Sequence, residues 1–235
     1  MPPEANAAFV CAMEDTLAGS QRPSDERRPL GCFDAGPTPW VKEVREPIPA
    51  APGRLERSDD EYERHGTGHL CMLFEPLAGR RAVLVTARRT AVDAAEAMRH
   101  LVEVRYPRAA TIVLVPDTLH THTLASLYEA CPPEEARRLI DKLEGHSTPT
   151  HGRWLNMAEI ALGVWRRQGL DRRIPDFTTL QGEVAAWQGG RNAVPVQVNW
   201  QLTTADARVK IPAASCGAFR RKVSVRLGES VPQTP

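Results

Sequence analysis

The chain has 235 residues, 42% hydrophobic and 25% charged, with 30 Lys plus Arg against 29 Asp plus Glu and a formal net charge of +1. Such a composition suits a globular protein with one sizeable core and excludes a collagen-like, low-complexity or highly charged disordered chain. The longest apolar runs are of strand length, far from the roughly 20 residues of a membrane span, and no charged-then-apolar leader opens the chain, so no membrane association and a cytoplasmic location are expected.

Nine of the twenty prolines precede residue 53, and the segment 45–60 has almost no periodicity. The first quarter therefore reads as arm and linker around one short strand, "PLGCFD", residues 29–34. "GHLCMLFEP" (68–76) and "RRAVLVTA" (80–87) read as a hairpin of buried strands. Thr90 stands as an N-cap three residues before Asp93, and Ala91, Ala94, Ala95, Met98, Leu101, Val102 and Arg105 share one helical face that Tyr106-Pro107 ends. "TIVLV" (111–115) is a buried strand that runs into Pro116-Asp117. "CPPEEARRLIDKLEG" predicts a helix from its prolines to Gly145. Another helix covers "WLNMAEIALGVWRRQ", and a further one runs from Asp176 as N-cap to Gly189-Gly190. "VQVNWQL" then alternates as a half-buried strand or arm, and the pattern is lost after Pro212. The expected class is α/β, with a mixed sheet flanked by helices.

Cys11, Cys32, Cys71, Cys131 and Cys216 are odd in number and form no C-x-x-C pair, so neither a zinc knuckle nor a disulfide framework is expected. Arginines crowd residues 80–108 and basic residues crowd 208–226, which allows local basic surfaces but also ordinary solvated ones.

Three carboxylates stand out. Asp34 and Asp117 each end an apolar strand, which is either a turn signal or a ligand at the lip of a rigid sheet. Glu159 lies on or beside the apolar stripe of its helix, where it is either paired to a neighbouring donor or used in chemistry. Converging, the three would make a hard-oxygen site suited to Mg²⁺ or Mn²⁺.

The blocks "FEPLAGRR", "RRTAVDAAEAMRHLVEVRYP", "IVLVPDTLHTHTLASLYEACPPEEARRLIDKLE", "HGRWLNMAEI" and "LDRRIPDFTTL" resemble, in this order, the catalytic half of the DDE transposases of bacterial insertion sequences, the branch related to the mariner elements. The resemblance covers roughly residues 3 to 212. It implies a ribonuclease-H-like fold whose acidic triad corresponds to Asp34, Asp117 and Glu159, all three metal ligands, with Mg²⁺ as cofactor and Mn²⁺ as substitute. It further implies DNA, at transposon ends and target, as substrate. His122, His151, Asn156 and Arg153 lie in matching blocks as supporting or phosphate-contacting residues. Zinc ligation by His120, His122 and His151 is an alternative that the role implied for His122 disfavours.

Against the family pattern, Ala35 replaces a glutamate, Pro116 an apolar residue, Thr118 and His120 asparagines, Thr150 a lysine and Arg153 a small residue. No helix-turn-helix pattern is found, whereas full-length relatives carry such domains before the catalytic half. The expected organisation is an arm over 1–28, a ribonuclease-H-like domain over 29–190, a strand or arm over 191–212 and a disordered tail over 213–235. Two readings follow: a truncated transposase catalytic domain that acts as a homodimer, or with a separate DNA-binding subunit, at the nucleoid; or an inactive remnant that at most binds DNA or an intact transposase.

Overall fold

The computed structural model describes residues 7–45, 48–55, 57, 61–117, 123–170, 172–210 and 223–224. Five strands form one sheet in the order β3-β2-β1-β4-β5, from β1 (Leu30–Glu43), β2 (Tyr62–Glu75), β3 (Arg80–Thr86), β4 (Ile112–Pro116) and β5 (Leu143–Gly145). The hairpin neighbours β1, β2 and β3 are antiparallel, while β4 lies parallel to both β1 and β5. The sheet is thus mixed, as expected. Gly79 closes the β2-β3 hairpin at φ +67°, and a Cβ there would come within 2.6 Å of the Val196 backbone, so only glycine fits.

Period-two alternation assigns the faces. Phe33, Ala35, Ile112 and Leu114 pack on α2 (Ala91–His100), α3 (Leu127–Ala130) and α4 (Pro133–Ile140). Cys32, Met72, Val113 and Val115 pack on α5 (Met157–Gln168) and α6 (Phe177–Ala193). The sheet is therefore the middle of three layers. A smaller cluster joins Met13 and Leu17 of α1 (Ala7–Ser20) to Leu155, Leu202 and Ala207, the last on α7 (Thr204–Lys210). β6 (Asn199–Trp200) and β7 (Val223–Ser224) make a two-residue antiparallel pairing. No described helix is long and apolar enough to cross a membrane.

Several elements differ from expectation. The N-terminal segment read as an arm contains α1, whose Met13, Thr16 and Leu17 are buried. The strand expected over 29–34 continues to Glu43 through Pro37 and Pro39. Phe33 accepts from Asp117 N–H on the β4 side, so the odd-numbered positions of β1 face that side, and β4 pairs only with residues 30–33. The absent N–H groups of Pro37 and Pro39 therefore fall where no strand needs them. The helix expected to reach Gly145 stops at Ile140, because Leu143–Gly145 serves as the parallel neighbour of β4. At the other end of the sheet, α6 continues past Gly189-Gly190 because its side chains cover the edge of β3: Val83 N–H donates to Gln188 Oε1 at 2.7 Å, Arg81 N–H donates to Asn192 Oδ1 at 3.0 Å, and Asn192 Nδ2 donates to the Arg81 carbonyl at 2.8 Å.

Other local signals hold. The Thr90 and Asp93 capping box forms reciprocally. Its helix passes into a π-helical turn, Leu101–Arg105, which keeps Leu101 and Val102 buried and delivers Arg105 to Glu75. Val198 and Leu202 are buried while Gln197 and Gln201 are exposed, so the "VQVNWQL" alternation is real although only two of its residues are in a strand. Several crowded arginines are structural: Arg81 is buried over the rings of Phe74 and Trp187, and Arg99 and Arg105 are paired with Glu96 and Glu75.

Candidate active site

Asp34 lies within β1 and Asp117 immediately follows β4. Those strands are parallel neighbours, with Phe33 opposite Pro116. By the same alternation that sends Cys32 and Val115 toward α5, both aspartates project from the α5 face of the sheet, Asp117 just past the end of β4 and Asp34 inside β1, one residue beyond its pairing with β4, rather than at a strand end as the sequence suggests. Both are buried, Asp34 with no solvent exposure and Asp117 with 4%. Pro116 is compatible with this position: Ile112 N–H turns to Lys142 and Val113 N–H to Pro29, so even-numbered residues of β4 face β5, which has already ended at Gly145. Its missing donor leaves out one bond beyond the end of β5, while the carbonyls on either side still pair, Leu114 accepting from His146 N–H at 2.8 Å and Pro116 from Thr148 N–H at 3.3 Å.

Asn156 links this sheet edge to the third acid. Its Oδ1 accepts from Ala158 N–H at 3.0 Å as the N-cap of α5, and its Nδ2 donates to the Phe33 carbonyl at 2.8 Å. The residue before Asp34 and the first turn of α5 are thereby tied together, and that first turn carries Glu159, half-buried. The helix expected over 154–168 thus begins only at Met157, with Asn156, expected as a supporting residue, as its cap.

Arg153, expected as a supporting or phosphate-contacting residue, lies against the aspartates themselves. It sits in the 3₁₀ turn Arg153–Leu155, and its guanidinium spans the two aspartates, Nη2 lying 3.4 Å from Asp34 Oδ2 and Nε 3.4 Å from Asp117 Oδ2. Partial desolvation works against the charged guanidinium, but attraction from Asp34, Asp117 and Glu159 holds its pKa above the ordinary value. Asp34 feels the converse. Burial foremost, then the charge of Asp117, pushes its pKa up to about 6, against the opposing help of Arg153 and the Ala35 N–H, which donates to Asp34 Oδ1 at 2.7 Å; Glu159 adds to the rise.

Of the remaining candidates, His151 is exposed at φ +66°, in the turn before Arg153. His120 and His122 lie outside the described residues, as does Thr118. As the side chains stand, no three His, Cys, Asp or Glu among the described residues close into a metal-binding group. The donors still suit a hard divalent cation: they are carboxylates, two of them buried side by side, and burial first and then the charge of Asp117 disfavour the ionised form of Asp34 despite the half-exposed guanidinium.

The fold has known counterparts. The chain is similar to the Mos1 mariner paired-end complex with Mn (TM-score 0.53, 16% identity, 81% of this chain and 57% of that one). It is also similar to the Mos1 transposase paired-end complex with left transposon end (0.51, 15%, 90% and 61%) and to the Mos1 strand transfer complex (0.52, 14%, 80% and 57%). It thus spans about three-fifths of the length of those Mos1 chains. At such identities the likeness is one of fold, and it makes the mixed sheet ribonuclease-H-like. No curated protein matches the chain. A model of the DDE superfamily endonucleases matches residues 30–181, a span that contains every strand of the sheet and all three acids, and the chain belongs to that superfamily.

Proposed function

We propose that this chain is the catalytic domain of a transposase, which hydrolyses DNA phosphodiesters and transfers strands at a site made by Asp34, Asp117 and Glu159. The observation that carries the reading is the meeting of two buried aspartates on adjacent parallel strands, where the pairing of those strands ends, beside the helix turn bearing Glu159, inside a DDE endonuclease domain. Asp34 and Asp117 would hold the cations from the sheet and Glu159 from the helix, with Mg²⁺ as the natural ion and Mn²⁺ able to replace it; a similar Mos1 paired-end complex is described with Mn. When bound, such ions supply an activated oxygen nucleophile and a stabilised leaving oxygen. The protein's part is geometric and electrostatic. β1 and β4 fix the two aspartates, Asn156 fixes the helix that brings Glu159, and burial keeps the carboxylates from being satisfied by water. Transposon-end DNA is the proposed substrate, by analogy with the paired-end complexes, and two copies acting together is the proposed assembly.

One observation favours the second reading, an inactive domain that at most binds DNA or an intact transposase: Arg153 lies across the aspartates. Nicking of supercoiled plasmid in Mn²⁺ separates the two. The parent is expected to nick and Asp117→Asn to lose at least a hundredfold of that activity; silence of a folded parent would leave the inactive reading.

A further inference from the structure

Arg153 is anchored at its backbone and only loosely held at its head. Asn156 N–H donates to its carbonyl at 2.9 Å, and Leu155, two residues on, is fully buried against Met13 and Leu17. The side chain itself is 53% exposed, whereas the aspartate side chains it touches are 1% and 3% exposed. Its contacts are one nitrogen to each carboxylate at 3.4 Å, longer than the 2.7–2.9 Å of a charge-assisted bond and without the parallel fork of a bidentate pair. A cation-ligand bond of about 2.1 Å to the same oxygens leaves no room for the guanidinium between them. The two cations therefore exclude each other, and the arginine can leave without unfolding its turn.

We propose that Arg153 is a built-in competitor for the metal: its guanidinium takes the seat between Asp34 and Asp117 in the metal-free protein and must swing outward for a divalent ion to enter. This rests on the reading that those aspartates hold the metal. Because the competitor is covalently attached, its local concentration is fixed, and it lowers the apparent metal affinity by the fraction of molecules in which it is docked. Arg153 is thus a positioning and gating residue, not a catalytic one.

Mn²⁺ binding followed by the electron paramagnetic resonance of the free ion gives the test without any DNA. Arg153→Ala and Arg153→Gln are both expected to bind Mn²⁺ at least tenfold more tightly than the parent, while Asp117→Asn binds at least tenfold more weakly. Melting in EDTA supplies the second readout: both Arg153 variants melt below the parent, and saturating Mn²⁺ raises them by more degrees than it raises the parent. Unchanged Mn²⁺ affinity in both Arg153 variants, with Asp117→Asn still weakened, overturns the competition and leaves the metal site standing. Mn²⁺ binding that ignores Asp117 in every variant overturns both.

Discussion

The carboxyl of Asp34 has no solvent around it and a second carboxyl beside it, which takes its pKa from an ordinary 3.8 up to about 6. Between those values the unfolded chain has already released a proton that the folded chain still holds, so this group's contribution to stability is fully present below about 3.8 and is lost as pH rises through about 6. The displacement corresponds to on the order of 3 kcal/mol. Asp34→Asn, an uncharged near-isostere, is therefore expected to be more stable than the parent at pH 7 in EDTA by about that amount, with the gap closing toward pH 4; urea denaturation across that range measures it, and a gap independent of pH would refute the assignment. The wild-type residue thus sacrifices stability in the metal-free protein, which is the usual condition of a buried site acid without its counter-ion.

Between elements, Asn156 has two jobs at once, capping α5 and tying it to β1. Asn156→Ala removes the cap on the Ala158 N–H and one of the two donors to the Phe33 carbonyl, which keeps the bond from Asp117 N–H, for an expected loss of about 1–2 kcal/mol by urea denaturation. On the proposed chemistry it also lowers plasmid nicking by more than the stability loss explains, because Glu159 is no longer held to the strand of Asp34. Local chemistry of this type was legible in the sequence: a Thr and an Asp three apart gave a capping box, and alternation along "VQVNWQL" gave its buried face. Illegible were the features settled by neighbours distant along the chain. Gly145 looks like a helix stop until β4 is seen to need an outer strand, and Pro37 and Pro39 look like strand breakers until β1 is seen to outrun β4. Arg153 was a candidate through the resemblance alone, and its bridging of the two aspartates was illegible because nothing local aims a long side chain at residues contributed by two other elements.

At the scale of the molecule, the two main cores lie on the faces of the sheet, and the third joins the N-terminal helix, α7 and the turn before α5. Leu17 is fully buried there, so Leu17→Ala is expected to cost about 2–4 kcal/mol in chemical denaturation. Because Leu155 shares that cluster, the same change loosens the turn that carries Arg153, and faster amide exchange at 153–155 is the accompanying expectation. The parallel pairing of β1 with β4 has a temporal consequence. The segments that carry Asp34, Asp117 and Glu159 are separated by a hairpin and several helices, so their meeting is a long-range closure, the slow class of event in folding. A chain still leaving the ribosome, or one opened by stress, has its three acids scattered on separate segments. Whatever cutting of DNA the proposed site performs is thereby confined to finished molecules.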